Sequence, residues 1–256
     1  MGSKLMLKAL TGAALLATAL STPSMAAANW DGFYVGAVGT VGVMSSDNTV
    51  NSSFFEGQQS SLSDWGGGIG ATVGNNWQDG SWVFGLEGDF SWTSYKNSNS
   101  VTEIFDTTDT EGFHSSTKWN WVATVRGRFG VDVDDTLIYA TGGIAFVGVK
   151  NYAAFTENCP TCDDGEGFTE NENFSSSKTQ VGIALGAGIE RHFADSWSFK
   201  AEFLYIGLPS TTNNTFREYE DDAGTITNTT CSTCGLENTS RSSAEVFRIG
   251  INYALN

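Results

Sequence analysis

Eight segments of the chain alternate apolar and polar side chains with a period of two, and this alternation constrains the fold most strongly. A β-strand points successive side chains to opposite sides, so each such segment has one apolar and one polar face. In the clearest segment, Trp82, Phe84 and Leu86 share one face, and Glu87 and Asp89 share the other. The segments cover residues 32–43, 65–77, 82–92, 118–131, 137–150, 179–193, 197–207 and 245–255. We predict a strand at each; the fifth is apolar or small on both faces, so its orientation stays open.

The links between these segments alternate strictly in length. The second, fourth and sixth links are short, and the first of these contains Asp79-Gly80, a strong signal for a hairpin turn. The other four links are long, and they cover residues 44–64, 93–117, 151–178 and 208–244. This arrangement is typical of an up-and-down membrane barrel with one tight rim and one looped rim. We therefore predict an all-β fold, an eight-stranded antiparallel transmembrane barrel with short periplasmic turns and four long extracellular loops.

The less apolar faces of the strands carry equal numbers of opposite charges. An unpaired buried charge is very costly, so a closed lumen favours such a balance, whereas the solvated face of a soluble sandwich does not require it. We predict a charge network inside the lumen. Its members are Glu87, Asp89, Arg126, Arg128, Glu190, Lys200, Glu202 and Arg248.

The opposite, apolar faces carry Trp and Tyr near the strand ends. Amphipathic aromatic rings favour the headgroup region of a bilayer, so two aromatic girdles are expected there, with ordinary core aromatics as the alternative. The predicted interface aromatics are Trp82, Trp92, Trp119, Trp197, Tyr205 and Tyr253.

The first residues have the pattern of a secretory signal peptide. Lys4 and Lys8 precede an apolar run that is too short to span a bilayer, and small residues lead up to Ala26. We expect residues 1–26 to be removed and residues 27–256 to form the barrel. Loss of both lysines leaves 11 Lys and Arg against 29 Asp and Glu, a net formal charge of −18.

This acidity argues against a nucleic-acid partner, because binding to phosphates depends on Lys and Arg. Aromatic residues make up 12% of the chain, which a disordered acidic tail would not contain. The four long links hold 18 of the 29 carboxylates, so the predicted external loops are acidic.

The four cysteines form two C-x-x-C pairs, both in predicted external loops. They are Cys159, Cys162, Cys231 and Cys234. Such pairs can build a zinc site, but thiols of exported proteins usually oxidise, so disulfides are favoured. Four cysteines allow three pairings, and the sequence does not choose among them.

No residue pattern indicates an enzyme, a cofactor or a dedicated metal site. His114 has Ser115 and Ser116 beside it only in sequence, and His192 lies near Glu190 at the tight rim. Hydrolysis needs a nucleophile, a base and an orienting group within hydrogen-bond reach, which sequence proximity alone does not supply. Residues 163–172 are rich in carboxylates but lack EF-hand spacing, so a solvated loop is favoured over a Ca²⁺ site.

Several motifs together resemble a known family. The chain is similar to the small outer-membrane barrel proteins of alphaproteobacteria, often called outer-membrane immunogenic or opacity/porin-like proteins. The motifs are WDGFYVG at 30–36, VFGLEGDF at 83–90, TVRGRFG at 124–130, LIYATGG at 137–143 and GAGIE at 186–190. The resemblance covers the strands and implies an eight-stranded barrel in the Gram-negative outer membrane. Asn256 departs from the terminal aromatic residue that is common in such barrels.

The expected function is therefore structural or concerned with surface interaction, with outer-membrane lipid as the partner. The acidic loops are candidates for contact with host or envelope components, and a monomer is favoured. The alternative is a narrow porin for small solutes or ions, which we expect less because side chains fill the interior of an eight-stranded barrel.

Overall fold

The described part of the chain is built entirely from β-strands. The computed structural model describes residues 29–51, 58–104, 110–159, 168–215, 219–220, 226–227 and 236–255. The strands are β1 (Gly32–Asn51), β2 (Gln58–Asp79), β3 (Trp82–Ile104), β4 (Thr110–Val133), β5 (Thr136–Cys159), β6 (Phe168–Ala194), β7 (Trp197–Gly207), β8 (Thr211–Thr215), β9 (Tyr219–Glu220), β10 (Ile226–Thr227) and β11 (Leu236–Ala254). Within the described ranges no helix is long and apolar enough to cross a membrane.

Eight of these strands close into an antiparallel barrel. Strands β1 to β7 pair in chain order, β7 pairs with β11, and β11 returns to pair with β1. The closing pair runs from Tyr34 opposite Ala254 to Asn51 opposite Glu237. Closure leaves the eight strands without an open edge, which confirms the predicted fold class.

Two-residue turns connect the barrel strands at one rim, as the short links predict. Asp134 and Asp135 both have positive φ, which suits the right-handed twist of a hairpin. In the β2–β3 turn, only Gly80 has positive φ. Asp79 pairs with Trp82, so the central residues of this turn are Gly80 and Ser81, one position later than the Asp-Gly prediction.

At the other rim the strands extend much further than the alternation predicts. Most of the first three long links is hairpin: Val50 pairs with Gln58, Ile104 with Thr110 and Cys159 with Phe168. The prediction of long loops there is wrong in extent. Apolar alternation ends where the apolar outer face ends, whereas backbone pairing continues through Ser, Thr and Asn, which are polar on both faces. β7 ends before Pro209, which has no N–H to donate, and β8 continues the pairing with β11.

The apolar faces of the strands point outwards. Phe84, Leu86 and Phe90 are 49%, 57% and 36% exposed, whereas Glu87 and Arg126 are only 4% and 1% exposed. The open orientation of the fifth strand is also resolved, since Leu137 and Tyr139 are buried and Ile138 is exposed. From Trp82 to Trp92 the apolar face is roughly 34 Å long. At a tilt of about 40° this gives a band about 26 Å tall, the thickness expected of a membrane barrel.

Register shifts interrupt two strand pairs above this band, and β4 reverses its alternation there. The register shifts between Trp92 and Tyr95 in β3 and between Trp119 and Trp121 in β4. β4 has one extra residue relative to β5 there, so its side chains beyond the bulge change face, whereas β3 keeps its alternation from Asp89 to Tyr95. Trp119 is consequently 0% exposed and lies inside the barrel. Its prediction as an interface aromatic is wrong, because strict alternation from Trp121 placed it outside.

The interior at the level of the bulges contains an apolar cluster, which the polar-lumen prediction did not include. Trp119 packs with Tyr95 in an edge-on arrangement, with ring centroids 6.4 Å apart. The cluster, which we call the apolar layer, comprises Met44, Tyr95, Trp119, Val122, Ala145, Val147, Val149, Ala184, Leu204, Ile206, Leu208, Ala244 and Val246. Side chains from β1, β3, β4, β5, β6, β7 and β11 thus fill the lumen on the hairpin side.

The position of Trp119 predicts different stabilities for two tryptophan variants. Trp119→Ala removes a fully buried ring, so we expect the free energy of unfolding to fall by about 3–5 kcal/mol. Trp92→Ala is the matched control, because Trp92 is 63% exposed on the outer face, and its loss should be clearly smaller. Equilibrium urea unfolding of the barrel refolded in lipid vesicles measures both, and equal losses would contradict the inward orientation.

Candidate functional site: the charged lumen of the barrel

The eight predicted lumen charges lie together in the middle of the barrel. Each of them is at most 8% exposed. They come from five strands: Glu87 and Asp89 from β3, Arg126 and Arg128 from β4, Glu190 from β6, Lys200 and Glu202 from β7, and Arg248 from β11. The described residues form eight salt bridges, and all eight join members of this set. We call the set the lumen network.

Arg126 is the centre of the lumen network. Its Nη2 donates to Glu87 and, at 3.0 Å, to Asp89 Oδ2, while its Nη1 donates to Glu202 Oε1 at 3.0 Å. Glu87 is its direct neighbour across the β3–β4 pair, but Glu202 lies on β7, three strands away. The Arg126 guanidinium therefore connects β3 and β7, which are not neighbours in the sheet.

Further ion pairs also cross the lumen rather than follow the sheet. Lys200 Nζ lies 2.7 Å from Glu87 Oε2, although Glu190 is its neighbour in register. β3 and β7 are four strands apart in an eight-stranded barrel, so this pair spans the diameter. Arg248 reaches Asp89 across the lumen at 3.1 Å, and it also lies 3.1 Å from Glu202, its neighbour in register.

Arg128 forms the part of the lumen network nearest the tight turns. Its Nη2 donates to Glu190 Oε2 at 2.7 Å, and its guanidinium carbon lies 4.2 Å from the centre of the Tyr139 ring. Its Nη1 also donates to the Tyr34 hydroxyl at 2.9 Å. A cation over an aromatic face gains electrostatic stabilisation, which helps to offset the desolvation of this arginine.

Neutral side chains complete the hydrogen bonds of the carboxylates. Tyr34 donates to Glu87 at 2.8 Å and Tyr139 donates to Glu202 at 3.0 Å. Ser198 and Asn252 both donate to Glu190 Oε1 at 2.6 Å. Sequence reasoning missed these four residues because it selected charges. Alternation places Tyr34, Ser198 and Asn252 on inner faces, whereas Tyr139 lies on the fifth segment, whose orientation stayed open.

A second apolar group closes the lumen below the network. Trp30, Val83, Leu137 and Tyr139 are buried together at the tight-turn end. The Trp30 ring lies 4.0 Å from the His192 ring, measured between centroids. Beside them a small cavity of about 20 Å³ is lined by residues that include Glu190, Ser198 and Asn252.

The remaining predicted site residues occupy varied positions. Trp82, Trp92, Trp197 and Tyr253 are exposed on the outer face, and Tyr205 is half-buried. His114 Nδ1 lies 2.7 Å from the Oγ atom of Ser100, its neighbour in register on β3. Residues 1–26, 163–167, Cys162, Cys231 and Cys234 lie outside the described residues, and Cys159 is described only as the end of β5.

The match to a family model decides the classification of this barrel. Residues 12–232 match the model described as outer membrane protein beta-barrel domain. The chain belongs to this family. It is an outer-membrane barrel protein, as the motif resemblance implied.

The relatives of this outer-membrane barrel are alphaproteobacterial. It is 27% identical over 208 residues to the 22 kDa outer membrane protein of Rhizobium leguminosarum, covering 81% of this chain and 75% of the relative. It is 36% identical over 141 residues to the 31 kDa outer-membrane immunogenic protein of Brucella melitensis, covering 54% of this chain and 52% of the relative. The chain thus spans about half the length of the Brucella protein. Neither name is that of an enzyme.

The solved structures of other outer-membrane barrels resemble this chain only distantly. OprG from Pseudomonas aeruginosa is 12% identical with a TM-score of 0.42, covering 88% of this chain and 97% of that chain. The outer membrane protease OmpT from Escherichia coli is 8% identical with a TM-score of 0.43, covering 92% and 99%. At these scores neither likeness says anything about activity.

The lumen network predicts a large cost for removing its central cation. Arg126→Met leaves three buried carboxylates without one of their partners, so we expect a loss of about 3–5 kcal/mol in the free energy of unfolding. Arg241→Met removes an exposed arginine of β11 and is the matched control, with a change within about 0.5 kcal/mol. Urea unfolding in vesicles measures both; an unchanged stability of Arg126→Met would show that the network carries no such cost.

A glycine beneath the Tyr34 ring offers a second test. A methyl group on Gly74 would overlap the ring and hydroxyl of Tyr34, which bonds both Glu87 and Arg128. We expect Gly74→Ala to destabilise the barrel. Gly39→Ala is the matched control, because its methyl carbon would come no nearer than 4.0 Å to Ile249 O. The unfolding midpoints in urea should separate the two variants, and coincident midpoints would refute the close packing at Tyr34.

Proposed function

We propose that the protein is a closed structural barrel of the outer membrane that presents its long hairpins at the cell surface. The observation that supports this proposal most directly is that side chains fill the lumen. From the tight turns upwards, the interior contains the group around Trp30, then the lumen network, then the apolar layer around Trp119. Eight-stranded barrels have room for side chains and little else, so three stacked layers leave no evident water path.

The proposal also covers export, the acidic outer segments, the loop cysteines and the aromatic girdles. Export would remove residues 1–26 and leave acidic outer segments above the membrane, with the loop cysteines as disulfides. The exposed Trp82, Trp197 and Tyr253 would lie in the headgroup girdle near the tight turns, and Trp92 in the opposite girdle. The name of the Brucella relative, an immunogenic protein, supports a surface role; contact with host or envelope components through the hairpins, as a monomer, is the corresponding proposal.

A narrow porin is the second candidate, and the small cavity at the tight-turn end favours it. The Oδ1 atom of Asn252 and the Nδ1 atom of His192 are buried there without a hydrogen-bond partner. A cavity of about this size accommodates a single water molecule. Such a water site would be the inner end of a conducting path if the lumen network rearranged.

Planar-bilayer recordings separate the two functions. We expect the wild-type barrel to give no stable channels of uniform size, because ion pairs block its cross-section at the lumen network. Insertion is checked on the same sample by the gel-mobility shift of a folded barrel on boiling. Reproducible single-size steps from protein that passes this check would replace the closed barrel with the porin.

A further inference from the structure

Three lysines form a row across the outer face of the barrel wall. Lys96 on β3 pairs with Lys118 on β4, and Lys118 pairs with Lys150 on β5. All three side chains are exposed. Their neighbours in sequence, Tyr95, Trp119 and Val149, are buried inside, so the lysines point outwards. We call Lys96, Lys118 and Lys150 the lysine row.

The bulge in β4 completes this row by bringing Lys118 to the outer face. Before the bulges, even-numbered residues of β4 such as Arg126 and Arg128 face the lumen. Beyond the bulge, Trp119 turns inwards and Lys118 therefore turns outwards. β3 keeps its alternation across its own register shift, so Lys96 lies on the outer face, as Trp92 does, beside Lys118.

Like charges in such a register repel one another. Adjacent strands lie about 4.8 Å apart, so the three side chains start within roughly 10 Å. Directly opposite like charges destabilise a sheet, and the described side chains offer the lysine row no ion pair in compensation. An anion from outside the chain would relieve this repulsion.

The height of the lysine row identifies the source of that anion. On the outer face, Trp92 pairs with Trp121, and Trp121 pairs with Gly148, two residues below Lys150. Two residues correspond to roughly 7 Å along the strand. Tryptophan favours the headgroup level of a bilayer, so lysines just above it face the charged part of the headgroups.

The surroundings of the row also suit a phosphorylated headgroup. Two residues further out, Ser98, Ser116 and Tyr152 are paired in register on the same outer face and supply hydroxyl groups. The opposite wall is different, since Asp47 of β1 lies opposite Arg241 of β11 in register, so charges of opposite sign are neighbours there. The three adjacent outward-facing lysines thus lie on one side of the barrel, on β3, β4 and β5.

We propose that the lysine row binds phosphate-bearing lipid headgroups of the outer leaflet. The proposal goes beyond the structural role and depends only on the outer-membrane location. Each lysine at a charged membrane surface contributes on the order of fivefold in affinity. The row is therefore a lipid-binding surface that orients one wall of the barrel towards anionic lipid.

The test compares lipid binding by full-length variants in a neutral maltoside detergent. The probes are diphosphoryl lipid A and its phosphate-free form, and native mass spectrometry measures the bound fraction during titration in EDTA. The triple variant Lys96→Gln/Lys118→Gln/Lys150→Gln should bind diphosphoryl lipid A about tenfold to a hundredfold more weakly than wild type. Wild type should prefer the diphosphoryl form by a similar factor.

Lys178→Gln is the matched control. Lys178 is also exposed at this height on β6, but it pairs with the inward-facing Val149 and so lies on the inner face. Its substitution should leave lipid binding unchanged, and replacing all three lysines of the row by arginine should preserve it. The gel shift on boiling confirms folding of every variant; should the triple glutamine variant not fold, the loss of wild-type binding in high salt provides the test.

Three results would overturn the proposal. One is wild-type affinity in the triple glutamine variant, and another is equal binding of the two lipid A forms. The third is binding of soluble polyphosphate as tight as that of the lipid at the same phosphate concentration, which would make the row a general anion site. Channel formation in bilayers would refute the closed barrel but would leave the lysine row unaffected, so the two failures are distinguishable.

Discussion

The enclosure of Arg126 by three carboxylates is the interaction on which the rest of the structure depends. A guanidinium removed from water loses a large hydration energy, and only close, well-oriented anions compensate for this loss. Glu87, Asp89 and Glu202 reach it from β3 and β7, which requires the sheet to curve until these strands face one another. Barrel closure and charge pairing therefore support each other: the closed wall excludes water, and the ion pairs hold opposite walls at a fixed distance.

The two apolar groups protect this arrangement. The apolar layer covers the lumen network on the hairpin side, and the group around Trp30 covers it at the tight turns. With water excluded on both sides, each ion pair is stronger than at a surface, and each unpaired charge would be more costly. The outer face needs no such pairing, because its apolar side chains contact lipid.

Much of this architecture is readable from the sequence because a strand has only two faces. Alternation placed Phe84 outside and Glu87 inside, and the charge balance of the inner faces selected all eight members of the lumen network. The strict long–short order of links gave the strand count and the position of the tight turns. These features are local, since each depends on neighbouring residues in one segment.

What the sequence did not reveal depends on contacts between strands. A bulge is a property of a pair of strands, so alternation within β4 alone placed Trp119 on the wrong face and concealed the outward orientation of Lys118. The length of the hairpins was also hidden, because Ser, Thr and Asn pair their backbones without an apolar pattern. Tyr34 was missed as a partner of Arg128 because only the curvature of the closed barrel brings β1 to β4. Tyr139 lies on the neighbouring β5, whose orientation the alternation left open.

A double-mutant cycle on Lys200 and Glu87 tests the central claim most directly. These residues lie on β7 and β3, on opposite sides of the barrel, with Nζ and Oε2 2.7 Å apart. Urea unfolding of Lys200→Met, Glu87→Gln and the double variant in vesicles should give a coupling energy between about 0.5 and 3 kcal/mol. Additive losses, with coupling below about 0.3 kcal/mol, would contradict a closed lumen held together by ion pairs across its diameter.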